Sequence, residues 1–368
     1  MEHQLQHDAP PETPSSNRTS RRPPRKLCSF TQMLDSIVQK LQKARCVILS
    51  THRHSDGDGL GAQTALFHGL RKLGIKARMV NVDRPSAKYS FMGLDGTVEV
   101  FEPGRTSLDG IDLALILDTN DCRLVEPLYS ELITRNIETL FIDHHPILAN
   151  APQPIHDSLV AVGAASTGEL GFRLLKKLGV ELDAQIARAL YTSLVFDTHL
   201  FRYVKSDPAS HLMAAELLKY ERHPEEVHHH LFSTYTVSKM NSLMRSLARV
   251  EYSADNRVAF IPFPASEHSI PGNLERDESG DLIDHVMKIG SVEVAALLRE
   301  DGPEQFKLSL RSRGNLEVLS VAESFGGGGH KYASGAYLTG TYENLRREVL
   351  EKLERLVPTS PINRSAGP

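Results

Sequence analysis

The stretch CVILSTHRHSDGDGLGAQTAL, from Cys46 to Leu66, joins an apolar segment to a helix-like segment through a short polar cluster. The apolar part, Cys46–Ser50, is rich in branched residues and predicts a buried strand. Two histidines and two aspartates follow within seven residues: His52, His54, Asp56 and Asp58. After them, apolar residues recur near helical spacing. The polar cluster is therefore predicted to lie on a strand-to-helix turn, where open parallel sheets bind ligands.

The bulk composition is that of an ordinary globular protein. A chain of 368 residues with 40% hydrophobic and 24% charged residues is long enough for two domains with separate cores. Its net charge of -4 argues against a protein that coats long nucleic acid by bulk electrostatics. The three cysteines form no metal-type pairs, no apolar run approaches the roughly 18 residues of a membrane span, and the N-terminus lacks a signal-peptide core. We therefore expect a cytoplasmic protein without membrane contact.

The chain divides by pattern into five segments. Residues 1–26, rich in Pro, Ser and Arg, predict a disordered basic tail. Residues 27–225 alternate strand and helix patterns, which predicts an α/β domain whose parallel sheet carries helices on both faces. Residues 226–249 predict a helical linker, 250–357 a smaller α+β domain, and 358–368 a second disordered tail.

Individual elements follow from hydrophobic spacing. Strands are predicted at 46–50, 76–82, 113–117 and 139–142, and later at 250–262, 292–299 and 306–313. Helices are predicted at 168–178, 184–195, 318–325 and 342–356, with 166–250 almost entirely helical. STGE at Ser166–Glu169 predicts a capping box at the start of one helix.

Three more apolar elements end at acidic residues or imidazoles. LALILDTND ends at Asp118 and Asp121, TLFIDHH at Asp143, His144 and His145, and LYTSLVFDTHLF at Asp197. A single aspartate at a strand end is usually a cap, but four such endings in one domain should converge on one edge of the sheet. Clustered carboxylates repel one another unless cations lie among them, and mixed Asp and His ligands suit Mn²⁺, Zn²⁺ or Fe²⁺ better than Ca²⁺. The pattern predicts a metal site.

At these residues the chain resembles the DHH phosphoesterases. The matching motifs are HRHSDGDGLGA, DTND, DHH and the aspartate of VFDTHLFRY, in the family's order. The later stretch FGGGGHKYASGA resembles the signature of the DHH-associated domain that follows in the same family. Within the superfamily, the size and two-domain layout are most similar to the type that degrades short oligonucleotides (nano-RNA) and dephosphorylates 3'-phosphoadenosine 5'-phosphate (pAp).

The resemblance implies that the protein binds two divalent ions, with Mn²⁺ as the expected metal. The implied ligands are His52 and Asp56 for one ion, Asp58, His144 and Asp197 for the other, and Asp118 as the bridge. His145 is implied to face the substrate phosphate, and Asp143 to orient a ligand imidazole. The family usually has Asn-Pro where this chain has His54 and Ser55, so His54 either takes part in the site or hydrogen-bonds the turn.

The C-terminal motifs predict a phosphate-binding surface. The run GGGGH includes Gly328, Gly329 and His330, and glycines allow backbone amides to approach a phosphate closely. Arg311, in LRSRG, can bind a phosphate with its planar fork, and Ser312 adds a hydroxyl donor. The resemblance implies that these residues hold the terminal nucleotide, which suits short oligomers better than long chains.

The resemblance therefore implies a metal-dependent phosphohydrolase that releases 5'-mononucleotides from short single-stranded RNA or DNA and acts on pAp. The main alternative is a cyclic-dinucleotide phosphodiesterase, followed by a non-catalytic RNA-binding module. The oligomeric state stays open between monomer and homodimer.

Several other residues have simpler explanations. Asp121 is as well explained by helix capping as by a role at the site. His199 belongs either beside the ligands or on a helix surface. His228–His230 lie in a predicted helix, where consecutive side chains point apart, so we expect a solvated face. Cys122 is predicted to be structural.

Overall fold

The computed structural model describes residues 29–147, 158–205, 207–268, 279–313 and 316–357. Both predicted tails, 1–26 and 358–368, therefore lie outside the described residues. The chain divides into two compact units, Met1–Ser233 and Thr234–Pro368. Among the described helices, none combines the length and apolar composition that crossing a bilayer requires.

The first unit is built on a six-stranded sheet in which every neighbouring pair is parallel. Its strands are β1 (Cys46–Thr51), β2 (Lys76–Asn81), β3 (Val98–Val100), β4 (Leu113–Leu117), β5 (Glu138–Asp143) and β6 (Leu159–Val160). They lie in the order β3-β2-β1-β4-β5-β6. The chain changes direction across the sheet between β1 and β4, which is where such sheets place their ligand sites.

Helices cover both faces of this sheet. They are α1 (Phe30–Lys43), α2 (Gly57–Lys72), α3 (Leu128–Thr134), α4 (Thr167–Lys177), α5 (Ala184–Asp197), α6 (Ala209–Leu217) and α7 (Pro224–Phe232), with 3-10 turns at Ala87–Met92 and Cys122–Val125. Alternate residues of β1 supply the two cores: Val47 and Leu49 pack with α1, α2, α4 and α5, whereas Ile48 packs with α3. Burial on both faces explains why the strands read as continuous apolar runs.

The second unit has its own mixed sheet. Its strands are β7 (Glu251–Tyr252), β8 (Val258–Phe263), β9 (Val294–Gly302), β10 (Gln305–Ser312), β11 (Gly328–His330) and β12 (Ala333–Thr339), in the order β11-β12-β10-β9-β8-β7. Only β8 and β9 pair in parallel among these described strands. The helices are α8 (Val237–Leu247), α9 (Ala265–His268), α10 (Ser279–Val286), α11 (Leu319–Ser324) and α12 (Tyr342–Leu356). Phe260 and Ile261 face opposite cores, so this sheet is also covered on both sides.

The predicted fold class is confirmed: a parallel-sheet α/β domain is followed by a smaller α+β domain. Most predicted strands and helices lie within a few residues of the observed ones. The prediction missed the short strands β3 and β6, and it missed β11 and β12 because glycines and small residues carry little strand signal. The region predicted as a helical linker contains the end of α7 and all of α8, with a break at 233–236.

The predicted capping box at α4 forms with one change of partner. The Ser166 hydroxyl accepts a hydrogen bond from the Glu169 amide at 3.1 Å, as predicted. The Glu169 carboxylate, however, accepts from the amide of Ala165 at 3.0 Å rather than from that of Ser166. Side chains therefore accept hydrogen bonds from two backbone amides at the start of α4, which fixes where this helix begins.

Candidate metal centre

The acidic and imidazole side chains singled out in the first unit meet at the carboxyl edge of its sheet. His52 follows β1, Asp118 follows β4, and Asp143 ends β5 with His144 directly after it. Asp56 is the N-cap of α2, Asp58 lies in its first turn, and Asp197 is the last residue of α5. Three strands and two helices thus place these side chains at one edge of the sheet, because the carboxyl ends of parallel strands converge.

One group at this edge combines His52, Asp56 and Asp118, whose potential ligand atoms lie within 4.8 Å of one another. His52 Nε2 is 3.5 Å from Asp118 Oδ2 and 4.0 Å from Asp56 Oδ2. His52 Nδ1 is 2.9 Å from the Arg53 carbonyl oxygen, to which it donates. That donation leaves Nε2 as the lone-pair nitrogen, facing two carboxylates.

A second group combines Asp58, His144 and Asp197 in the same manner. His144 Nε2 lies 3.4 Å from Asp58 Oδ2 and 3.5 Å from Asp197 Oδ2. His144 Nδ1 approaches the Ala164 carbonyl oxygen at 3.3 Å, so Nε2 again carries the lone pair. Burial lowers the pKa of His144, which favours the neutral ring that metals bind.

These two groups fit divalent cations. Within the described part of the chain, the buried Nε2 of His144 has no hydrogen-bond partner. A lone pair that faces carboxylate oxygens across 3.4–3.5 Å is repelled by them unless a cation lies between. Mixed imidazole and carboxylate ligands, with each imidazole fixed through its other nitrogen, are typical of transition-metal sites.

Asp118 lies between the two groups. Its Oδ2 faces His52, while its Oδ1 is 3.7 Å from His144 Nε2 and accepts a hydrogen bond from Thr167 Oγ1 at 3.0 Å. The residue has a φ of 62°, a left-handed conformation that is uncommon outside glycine. Such backbone strain is found where a site fixes the direction of a side chain. The geometry suits a carboxylate that is shared between two ions.

Crowding and loss of water disturb the titration of these carboxyl groups. Burial raises the pKa of Asp118 well above its usual range, and the charges of Asp58 and Asp56 raise it further. Burial also raises the pKa of Asp56, and it raises that of Asp197 to about 8. Without a cation, the folded protein therefore retains protons on groups that water would ionise.

Polar groups on α4 and α5 hold Asp58 in place. Its two oxygens accept hydrogen bonds from the amides of Thr167 and Gly168 at 2.8 and 3.1 Å, and from Ser193 Oγ at 2.5 Å. The positive end of the α4 dipole adds to this stabilisation. The sequence analysis did not identify Thr167 or Ser193 as site residues. The sequence feature that could have indicated them is the N-cap at Ser166, because it places the first amides of α4.

Gly59 permits α2 to begin this close to the cluster. A Cβ at this position would lie 2.2 Å from Thr51 Oγ1 and 3.2 Å from Asp118 Oδ2. Any side chain would therefore push the first turn of α2, which carries Asp58, away from β4. Gly59 is therefore required because the start of α2 lies against Thr51 and Asp118.

His145 and Asp143 form a separate hydrogen-bonded pair. Asp143 Oδ1 accepts from His145 Nδ1 at 2.8 Å, and Asp143 Oδ2 accepts from Asn120 Nδ2 at 2.6 Å. The hydrogen bond from Asp143 raises the pKa of His145, whose side chain is 45% exposed. The pair, with Asp118 and His144, also makes a third group of metal-binding character. However, Nδ1 of His145 already donates to Asp143, so Nε2 is the ring nitrogen that remains for another partner.

Residues with alternative explanations lie as follows. The amide of His54 donates to Asp83 at 2.8 Å and its side chain is 84% exposed, so it supports the turn. Asp121 is the N-cap of the 3-10 turn at Cys122–Val125 and pairs with Arg123. His199 packs its ring edge-on against Tyr203 at 5.5 Å.

The three consecutive histidines behave differently from a uniformly solvated face. They lie in α7, where the His228 ring stacks on Tyr191 and the His230 ring stacks on Phe91, with centroids 5.8 and 4.6 Å apart. His229 stays exposed. Two of the three rings therefore contribute to packing.

In the second unit, the predicted phosphate-binding residues come together through strand pairing. Ala333 of β12 pairs with Arg311 of β10 on one side and with His330 of β11 on the other. Gly329, between Gly328 and His330, has a φ of 134° and contacts β12 so closely that a Cβ would clash with Ser334. The Ser312 hydroxyl donates to the Leu316 carbonyl, so binding a phosphate would require it to change partner.

Comparison with known proteins agrees with the motifs. The model of the DHH family N-terminal domain matches residues 46–194, and that of the DHHA1 domain matches residues 261–358. The chain is 29% identical over 325 residues to a Thermus thermophilus protein named bifunctional oligoribonuclease and PAP phosphatase NrnA, covering 84% of this chain and 90% of the relative. A Bacillus subtilis protein of the same name is 26% identical, with 83% and 93% covered.

Among solved structures, an exopolyphosphatase-related protein from Bacteroides fragilis superposes with a TM-score of 0.78. The match covers 88% of this chain and 96% of the other, at 22% sequence identity. At that identity the likeness shows a shared fold and does not assign an activity.

We predict that Mn²⁺ raises the melting temperature of metal-stripped protein by roughly 5–10 °C at 100-fold excess over its dissociation constant. The pKa of Asp197 is about 8 in the metal-free fold, against about 3.9 when unfolded. The metal-free fold therefore loses stability as pH rises between these values, and metal binding must displace the retained protons. At one fixed Mn²⁺ concentration, the gain in melting temperature should be larger at about pH 8 than at about pH 6 in thermal denaturation scans.

The matched control for this experiment is Asp121→Ala, which removes a carboxylate from the same DTND motif. It should keep the Mn²⁺-dependent gain, whereas Asp118→Ala should lose most of it. Equal gains in both variants would exclude Asp118 from the metal centre.

We predict that His145→Ala lowers kcat by roughly 100-fold or more, the usual effect of losing a donor to transition-state charge. The number of metal ions bound per chain should stay unchanged, since Nδ1 of His145 is held by Asp143. Mass spectrometry of the native protein measures the ions per chain, and His54→Ala is the control. Loss of one ion in the His145 variant would make this residue a ligand.

Proposed function

The chain belongs to the DHH phosphoesterase family and carries the DHHA1 domain, and on that basis we propose that it hydrolyses short oligonucleotides to 5'-mononucleotides and dephosphorylates pAp. Relatives that match over most of their length are named for both activities. The reaction is hydrolysis of a phosphate ester, and the substrates are short single strands of RNA or DNA.

The observation that carries this proposal is the position of Asp118 between two groups of ligands. One group adds His52 and Asp56, and the other adds Asp58, His144 and Asp197. Asp118 directs one oxygen to His52 and the other to His144, each within 3.7 Å. We propose that these six residues hold two divalent ions, most simply Mn²⁺, with Asp118 shared between them.

When bound, such ions polarise phosphoryl oxygens and make water a stronger nucleophile at neutral pH. The chain's own residues supply the rest. Asp143 fixes the ring of His145 through Nδ1, so Nε2 can donate a hydrogen bond to a non-bridging phosphate oxygen. The raised pKa of His145 keeps a proton available there. Asp58 is held by α4 and α5, which limits movement of the ligand set.

The second unit supplies nucleotide binding in this proposal. Arg311 binds the phosphate of the terminal nucleotide, and the backbone at Gly328 and Gly329 approaches it, with His330 at the same register. In the described part of the chain, the Arg311 guanidinium has no carboxylate partner, so its charge is free for a phosphate. Binding of a chain end favours short substrates. We place the enzyme in the cytoplasm, as a monomer or a homodimer.

The direct test incubates the purified protein and Mn²⁺ with pAp, a linear dinucleotide, a long oligonucleotide and a cyclic dinucleotide. Chromatography of the products should show AMP and inorganic phosphate from pAp, and 5'-mononucleotides from the dinucleotide, with slower attack on the long strand. The Asp118→Ala variant is the inactive control. Preferential cleavage of the cyclic dinucleotide would replace this proposal with the phosphodiesterase alternative, and binding without turnover would indicate an RNA-binding module.

We predict that Arg311→Ala lowers kcat/KM for a dinucleotide by about 10- to 150-fold, because a charge-assisted hydrogen bond contributes about 1.5–3 kcal/mol. A small artificial phosphodiester without a nucleotide should be hydrolysed at nearly the same rate. Arg311→Lys should recover only part of the loss, since an ammonium lacks the planar fork.

The control for Arg311 is Arg347→Ala, which removes an exposed guanidinium from α12. Steady-state curves on both substrates decide the outcome. If the Arg311→Ala variant lost the same factor on the small diester, this side chain would act on the chemical step or on folding rather than on nucleotide capture.

A further inference from the structure

The segment that follows Asp197 has an unusual backbone. His199, Leu200 and Phe201 have φ values of 47°, 60° and 66°, and Lys205 has a φ of 52°. Helices often end with one left-handed residue, usually glycine. Three consecutive non-glycine residues in this conformation exceed what ending α5 requires, and strain of this kind concentrates at ligand-binding sites. We call residues 198–205 the post-α5 turn.

Hydrogen bonds and packing hold the post-α5 turn in this shape. The amide of Leu200 donates to the Val195 carbonyl at 2.9 Å, and the amide of Phe201 donates to Thr198 Oγ1 at 3.0 Å. The Phe201 ring stacks on His211 at 5.1 Å and packs against the first core. The fold therefore anchors the turn through Thr198 and Phe201, and exposed side chains follow at His199, Leu200, Arg202, Tyr203 and Lys205.

The exposed side chains form an aromatic and cationic surface next to Asp197. The Tyr203 amide donates to the carbonyl of Thr198 at 2.9 Å, which returns the chain to the residue after Asp197. The Tyr203 ring is 56% exposed, with His199 edge-on at 5.5 Å and the Arg202 guanidinium 5.7 Å from its centroid. An exposed ring held by a guanidinium and an imidazole is pre-ordered for stacking.

Arg202 and Lys205 are the cations of the post-α5 turn. Neither Arg202 nor Lys205 makes an ion pair with any residue that the structure describes. The ammonium of Lys88 lies 5.9 Å from the ring centroid of Phe196, the residue before Asp197, and has no acidic partner among the described residues either. Unpaired cations beside a metal centre are suited to bind further phosphates.

From these contacts we propose that the post-α5 turn is a nucleotide-binding element: Tyr203 stacks on a base of the substrate, and Arg202 and Lys205 bind its neighbouring phosphate. The proposal rests on the proposed function and deepens it, because it assigns base recognition to the catalytic unit itself. A base always presents a flat face, so stacking on Tyr203 accepts any sequence, whereas a substrate without bases gains nothing from it.

Fluorescence of 2-aminopurine tests the stacking directly. A dinucleotide that carries this base is mixed with the Mn²⁺-loaded His145→Ala protein, in which cleavage is expected to be slow. Stacking should quench the emission on binding. Tyr203→Ala in the same background should abolish most of the quenching and weaken binding about 5- to 150-fold, the range that 1–3 kcal/mol of base stacking corresponds to. Tyr203→Phe, which keeps the ring, should retain both.

Tyr220→Ala is the matched control, because it removes another exposed tyrosine of the same unit. In the otherwise wild-type enzyme, Tyr203→Ala should raise KM for the dinucleotide with little change in kcat. A dinucleotide with one base removed should already have the higher KM and respond less. Quenching and KM that are unchanged in Tyr203→Ala would overturn the proposal.

The phosphate contacts have an independent readout in salt dependence. Replacing both Arg202 and Lys205 by alanine should reduce the slope of log affinity against log salt for a pentanucleotide by roughly 1–2, while Lys219→Ala should leave it unchanged. An unchanged slope in the double variant would remove the cations from the proposal. Wild-type protein that neither bound nor cleaved any oligonucleotide would instead refute the proposed function, and this inference with it.

Discussion

Mutual repulsion among buried carboxylates is the constraint on which the first unit depends. Asp56, Asp58, Asp118 and Asp197 are brought within a few ångströms by elements that cannot separate without opening the sheet edge. The protein meets part of this cost with neutral donors, since the α4 amides and Ser193 all point at Asp58. Bound protons or cations must neutralise the rest of the negative charge. The folded first unit therefore needs positive charge from outside the chain to offset its carboxylates.

This constraint explains why the aspartates that helices contribute to the site lie at helix starts and ends rather than in helix interiors. The start of α4 stabilises a carboxylate through its free amides, and the start of α2 carries Asp56 and Asp58 past Gly59 toward β4. Amides in the middle of α4 donate within the helix and could not bind Asp58. The position of Ser166, which begins α4, consequently affects the metal centre as well as the helix.

The sequence predicted the fold class and the clustering of strand-end residues because both follow from local patterns. A buried strand that stops at Asp118 or Asp143 can be recognised from a few consecutive residues. Thr167, Ser193 and Asn120 could not be recognised in this way, since their partners are far along the chain and a threonine or serine near a helix end has ordinary explanations. The left-handed turn was also invisible, because leucine and phenylalanine give no signal for positive φ.

A cluster of metal ligands recognises a phosphate and nothing more, so selection among phosphate esters must come from other groups. In the function proposed above, Arg311 and the backbone at Gly329 bind a second phosphate, and neither offers an aromatic ring to a base. Tyr203 does, and its turn begins at the residue after Asp197. Strain in a backbone persists only where the surrounding structure imposes it. Keeping an aromatic ring exposed at that cost is unnecessary for hydrolysing inorganic phosphates and useful for nucleotides, which links the conformation of the turn to the choice of substrate.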